Sequence, residues 1–284
     1  MAFVLPSGPK VRKMFRARNI WGRGFHQGIT DQMPSAPCNV QTAPVGCICF
    51  NILAYLMTRI ARNSKVDIDT YKARFAPDSS PGWDAIDAHL AAHLGRPEAD
   101  LHFGAATPFA LGGDNPLDGV SVYIRRNPDH LLFISYGLST LYYDENAVGE
   151  EYSGWGFELT FRLALEASER PNESPDVPQW PMNLMQNLAR YVFQSQKWFE
   201  HGHYITAGGP IKAGSTTDKT ALLFCSDPEL GWTDTPHGRV DFLQMVGITG
   251  AEFDGLKANT LSAEALINEK AAAHPLMITS LSER

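Results

Sequence analysis

Cysteine is scarce where most of the chain lies. Of 284 residues, four are cysteine (Cys38, Cys47, Cys49 and Cys225), and three of them fall within residues 1–56. Residues 57–284 hold one thiol and can form no internal disulfide. That excludes a small secreted disulfide scaffold and fits a reducing, cytoplasmic compartment. Long apolar runs are missing too. The best candidate, VGCICFNILAYLM at 45–57, includes Asn51 and has 13 residues, against the ~20 that span a bilayer, so no membrane span is read. No GxSxG elbow, P-loop or strand-following GxGxxG occurs, which removes the short signatures of several hydrolase, kinase and dinucleotide sites. The glycine-rich AGGPIKAGS, 207–215, lacks P-loop spacing and reads as a flexible loop. Positive charge is also short: the formal net charge is −7, which argues against nucleic acid as a general partner.

The charge is unevenly spread. Residues 1–56 carry six basic side chains against one acid, a net +5, which leaves −12 for residues 57–284. The first part reads as an atypical basic leader, either disordered or an extension upstream of a start at Met57. Its His26, Cys38, Cys47 and Cys49 match no common zinc spacing, and no small-residue cleavage site follows the apolar run. From Met57 onward the patterning is that of one ordinary domain, 57–284.

Within that domain, PGWDAIDAHLAAHLG (81–95) has Pro81 at a first helical position, Ser80 before it and Gly95 as a stop. Trp83, Ile86, Leu90 and Leu94 form its apolar stripe. Strands are expected at 120–124, 131–138, 155–165, 221–226 and 240–248. A helix is expected from Pro181 to about residue 199, with Leu184, Leu188, Tyr191, Val192 and Phe199 on its apolar side. Thr249 and Glu252 stand at capping-box spacing, and Ser262 is placed to cap a last helix, 263–273. Strands that follow one another without a βαβ repeat point to an α+β fold, a mixed and largely antiparallel sheet packed with helices.

SGWGFELTFRL (153–163) alternates without interruption. Trp155, Phe157, Leu159, Phe161 and Leu163 share one side, and Gly156, Glu158, Thr160 and Arg162 the other. A period of two marks a strand with one buried face. Its polar face is either a cross-strand ion pair or a wall of a docking site. His89 and His93, four apart on the first expected helix, could share a metal, which gives an alternative reading as a metal-dependent hydrolase. The glutamate of the zinc-protease motif is absent, since Leu90 stands there. His201 and His203, two apart and just past an expected helix end, are another pair at ligand-compatible spacing. Direct reading assembles no catalytic constellation and calls for no cofactor.

PLDGVSVY (116–123), ISYGLSTLYYD (134–144), SGWGFELTFRL (153–163), WPMNLMQNLARYVFQSQ (180–196), TPHGRVDFLQMVGIT (235–249) and PLMIT (275–279) follow in an order and spacing that resemble the suppressor of fused domain. The resemblance runs from about Gly82 to the C-terminus. It implies an α+β domain that binds a protein and does not catalyse. In animal members, which restrain zinc-finger transcription factors of hedgehog signalling, a second domain closes over a partner segment that adds as a strand. This chain stops near the end of the first domain. It therefore resembles stand-alone bacterial members, a group associated with immunity against toxin domains. Carried over by position, the resemblance implies Phe133 for an aromatic that precedes the family's FGLSDLYGD motif, and Asp144 for an acid at its end. Thr140 stands where that motif has an acid, and Tyr143 where it has glycine. With Tyr136 of the same stretch and Glu158 and Arg162 of the alternating strand, these make the expected partner-binding set: Phe133, Tyr136, Asp144, Glu158 and Arg162. The acidic domain would favour a basic partner, such as a basic toxin domain.

Overall fold

The computed structural model describes residues 67–105, 109, 113, 115–165 and 177–282, so the leader lies outside the described residues. Among these, five helices and eight strands follow in order: α1 Ile68–Arg74, α2 Pro81–Leu94, β1 Leu101–Gly104, β2 Gly119–Arg125, β3 His130–Tyr136, β4 Tyr152–Ala164, α3 Trp180–Ser195, β5 Tyr204–Thr206, β6 Lys219–Ser226, β7 Trp232–Thr235, β8 Gly238–Thr249, α4 Gly250–Lys257 and α5 Ala263–Ala273. The strands form one sheet in the order β1-β2-β3-β4-β8-β6-β5, with β7 paired to β8. All pairings are antiparallel except the central one, β4 with β8. The expected α+β class with a mixed, largely antiparallel sheet is what folds.

Local chemistry sets the boundaries. Gly95, in the left-handed region at φ 70°, stops α2, and its N–H donates to the Ala91 carbonyl. Ser80 makes no side-chain cap. The Thr249–Glu252 capping box forms in both directions and opens α4, and the Ser262 hydroxyl accepts from the Ala265 N–H to open α5. One expectation overshoots: α3 ends at Ser195, not near residue 199. Gln196 turns left-handed at φ 59°, so Phe199 reaches the core from beyond the helix and stacks on Phe224, with ring centroids 4.2 Å apart.

Helices cover both faces of the sheet. On one face, Phe157, Leu159, Phe161 and Leu163 of β4 meet Val120, Val122, Leu131, Phe133, Leu222, Phe224, Leu243 and Met245, roofed by Met185, Leu188, Ala189 and Val192 of α3. Each such side chain contributes about 1.5–3 kcal/mol by leaving water. On the other face two apolar patches form. In the first, Ile86, Leu90 and Leu94 of α2 pack on Tyr123, Leu132, Ile134, Tyr136 and Phe242. In the second, Leu256, Leu266 and Ile267 of α4 and α5 pack on Ala221, Leu223, Cys225, Val246 and Ile248. Cys225 is buried among them. The polar side of β4 belongs to this second face, and Glu158, Thr160 and Arg162 are each 0% exposed. The single-buried-face reading of 153–163 is therefore corrected: a central strand with helices on both sides has no wet face.

Candidate partner-binding site

The loop after β3, Gly137 to Asp144, carries most of the sequence singled out above, and Glu158 shapes it. Its Oε1 accepts the N–H groups of Gly137 (3.0 Å), Leu138 (3.1 Å) and Ser139 (2.9 Å) and the Ser139 hydroxyl (2.6 Å). Its Oε2 accepts the Ser135 hydroxyl at 2.5 Å. Three consecutive amides turned onto one carboxylate make an anion nest, which fixes a tight turn where the strand ladder stops. Gly137, at φ 132°, is required there. A Cβ would lie 2.8 Å from the Asp118 nitrogen and 2.8 Å from the Pro116 carbonyl oxygen. The far half of the loop rests on α2, because Gly82 lets the helix start come close enough for its N–H to reach the Leu141 carbonyl at 2.9 Å. A Cβ at Gly82 would meet the Thr140 oxygen at 2.0 Å.

A second anchor comes from α1. The Thr140 carbonyl can only accept, so His237 donates Nδ1–H to it (2.9 Å) and presents Nε2 as an acceptor to the Tyr71 hydroxyl (2.7 Å). Burial lowers the His237 pKa, which keeps this neutral tautomer. The Tyr71 oxygen in turn accepts the Asp144 N–H at 3.1 Å. Asp144 then caps the short turn Glu145–Ala147 by accepting from the Asn146 N–H at 2.9 Å. Its partly exposed carboxylate thus stands at the rim of a loop held from three sides.

Between the two apolar patches of the second face lies a sealed polar seam. Arg162 donates to both carboxylate oxygens of Asp227, to Gln244 Oε1 (2.8 Å) and to Glu229 (3.1 Å). Asp227 also accepts the Thr160 hydroxyl (2.7 Å) and the N–H groups of Glu229 and Leu230 (3.0 Å each). Burial pushes the Asp227 carboxyl up, but Arg162's charge and hydrogen bonds outweigh it and hold the group below its ordinary value. Glu229 reaches on to Arg125 at 2.7 Å, and Arg125 donates to the Leu94 carbonyl at the end of α2. The seam therefore locks the β6–β7 loop, the sheet and α2 together.

The expected partner-binding residues do not converge on one surface. Phe133 is 0% exposed in the α3-side core, and Tyr136 is 0% exposed on the opposite face. There Tyr136 stacks on Trp83 at 4.4 Å and donates its hydroxyl to Asp87 at 2.7 Å. Glu158 and Arg162 form no ion pair with each other, and neither offers its charge to the surface. The docking-wall reading of these two is corrected to a supporting role, because each finds its partners inside the fold. Asp144 alone of the five stands at the surface. Tyr136→Phe is expected to keep the stack on Trp83, leave Asp87 short of one donor and destabilise by about 1–2 kcal/mol, read as a shift of the urea midpoint.

The histidine pairs are engaged locally. His89 donates Nε2–H to the Leu230 carbonyl at 2.7 Å and stacks on Phe242, and His93 bonds the His89 carbonyl through Nδ1. His201 lies 3.0 Å from Glu264 and accepts the Ser226 N–H, while His203 accepts the Glu200 N–H. Among the described residues, no three His, Cys, Asp or Glu side chains are grouped to hold a metal, so the His89/His93 hydrolase reading lacks a third ligand there. No described helix is long and apolar enough to cross a membrane. Sequence reasoning missed Tyr71, Asp227, His237 and Gln244. A hint lay only in the turn-like DPELG at 227–231, because the pairs that define their roles are distant in sequence: Arg162 is 65 residues from Asp227 and 82 from Gln244, and Tyr71 is 166 from His237.

A family model described as suppressor of fused protein (SUFU) matches residues 113–282. The suppressor of fused homologs of Homo sapiens and Mus musculus are each 42% identical, over 165 and 163 residues, or 54% of this chain and 32% of each relative. The chain thus spans about a third of the length of those curated relatives. Two solved structures, the Sufu-Fu complex and Drosophila Suppressor of Fused, are each 32% identical at TM-score 0.66, over 72% of this chain and 92% and 51% of theirs. With more than half of its length matched by the family model, the chain belongs to the suppressor of fused protein family.

Proposed function

We propose that this chain is a non-catalytic binding module that docks another protein and masks it. The observation that carries the reading is its likeness, 32% identical at TM-score 0.66, to a chain solved as the Sufu-Fu complex. The chemistry agrees: Glu158, Asp227 and Arg162, the fully buried charged groups of the sheet, are held by partners inside the fold and offer no charge to a substrate. The finer version names the occupant as a basic protein, such as a toxin domain neutralised in the cytoplasm of a bacterium by an immunity partner. The −12 of residues 57–284 supports it, because opposite net charges steer encounter.

Co-expression with the product of the adjacent gene, followed by size-exclusion chromatography, tests this version. A complex is expected, with affinity falling at least about tenfold between 50 and 300 mM salt as exposed charges are screened. Absence of a complex, or one indifferent to salt, overturns the basic-toxin reading.

A further inference from the structure

The glycine-rich stretch 207–215 has no part in the site described above. It leads into a cavity of about 270 Å³, half open to solvent, beyond the end of β4. Leu163 of β4, Trp180 at the start of α3 and Leu281 supply apolar walls, and Lys212, Thr216, Thr217 and Ser282 supply polar ones. β3 runs antiparallel to β4 with His130 opposite Ala164, so the cavity lies at the end of the sheet away from the Gly137–Asp144 loop. Its frame is tied down. The Ile211 N–H donates to the Lys219 carbonyl at 2.9 Å, and the Ser215 hydroxyl closes on the Lys212 carbonyl at 2.7 Å. The C-terminal segment is fastened to β4, since the Ala164 N–H donates to the Thr279 carbonyl at 2.9 Å and the Thr279 N–H to the Arg162 carbonyl at 2.8 Å. Trp180 meets Phe161 edge to face, with ring centroids 5.6 Å apart. The lining has one cation and no carboxylate, although residues 57–284 carry a net −12. Asp218, next in sequence to Thr217, is taken by Lys219 at 3.2 Å. Lys212 has no ion-pair partner among the described residues. The Thr217 oxygen accepts the Lys219 N–H at 3.4 Å, which leaves its hydroxyl proton free to donate.

We propose that this cavity binds a small organic phosphate, its phosphate group at Lys212 and the threonine hydroxyls and its apolar body against Trp180, Leu163 and Leu281. An ammonium beside hydroxyl donors suits a tetrahedral oxyanion, whose several oxygens accept charge-assisted hydrogen bonds together. The apolar walls take the organic part out of water while the few polar groups fix its orientation, the usual division of labour in a ligand site. The missing acids matter as much, because a carboxylate in the lining would repel a dianion at close range. The site stands apart from the protein-binding reading and does not depend on it.

Calorimetric titration of the full chain with phenyl phosphate, inorganic phosphate and benzoate, each alone, tests the site. Phenyl phosphate is expected to bind with a Kd around 1 mM, and the other two, which lack the ring or the phosphate, at least about tenfold more weakly. Lys212→Met is expected to weaken phenyl phosphate at least about tenfold and to leave the thermal midpoint unchanged, since the side chain has no ion pair to lose. Thr216→Val, at an exposed position, is expected to weaken it by about threefold or more. Phenyl phosphate that fails to saturate by ~10 mM, that binds Lys212→Met as well as the parent chain, or that is matched by benzoate or inorganic phosphate would each overturn the site. If Lys212→Met does not fold, undiminished binding to Thr216→Val overturns it in the same way.

Discussion

Glu158→Ala is expected to lose about 4–5 kcal/mol, a large share of the ~5–15 kcal/mol typical of a folded domain. Five donors end on this one carboxylate. The two serine hydroxyls can rotate toward other acceptors. The three main-chain N–H groups of Gly137, Leu138 and Ser139 cannot, and each orphaned buried donor costs about 1–3 kcal/mol. The loop from Gly137 to Asp144 should loosen before the rest of the sheet, so amide exchange at Leu138 and Ser139 is expected to quicken more than at Leu159. Urea denaturation reads the total, and a loss under about 1.5 kcal/mol would show that the nest contributes little.

The same residue gives a pH signature. Burial, working against its donors, pushes Glu158 up to about 7 from an ordinary 4.5. A carboxyl raised on folding stabilises most when protonated. Its contribution is therefore full below about 4.5 and is lost as pH rises through about 7. Glu158→Gln, which keeps the shape and an acceptor, should flatten that part of the stability-against-pH curve while costing far less than alanine. A wild-type curve that is level between pH 5 and 8 would remove this assignment.

These residues also mark how far the sequence could be read. Capping chemistry is local, so Thr249, Glu252 and Ser262 disclosed the starts of α4 and α5 correctly, and Gly95 the end of α2. The elements α1, β1, β5 and β7, seven, four, three and four residues long, show no clear period and are not legible in the sequence. The alternation at 153–163 identified the strand but misled about its environment. Glu158, Thr160 and Arg162 have the composition of a wet face, yet their partners come from Ser135 to Ser139 and from Asp227, Glu229 and Gln244. Pairings that distant leave no trace in local periodicity. The same limit explains why Phe133 and Tyr136, three apart, were grouped as one surface when the pleat and the turn at Gly137 send them to opposite sides of the sheet.

Asp227→Ala should be the more informative break in the seam, with an expected loss of about 3–5 kcal/mol, because it strands a guanidinium that has no route to water. Arg162 is 0% exposed and would keep only Gln244 and one oxygen of Glu229. The N–H groups of Glu229 and Leu230 would lose their acceptor too, so the β6–β7 loop is expected to open and expose the Leu230 carbonyl that holds His89. The pH dependence runs opposite to that of Glu158. A carboxyl held below its ordinary 3.8 by Arg162 stabilises fully above that value and loses its contribution as pH falls through its lower folded value. The decisive comparison adds Arg162→Met. If the damage is a stranded charge, the double variant should recover about 1.5–2 kcal/mol relative to Asp227→Ala, since an apolar side chain of similar length tolerates the cavity that a cation cannot. Equal losses in the single and double variants would place the cost in the loop's lost hydrogen bonds and take the ion pair out of the account.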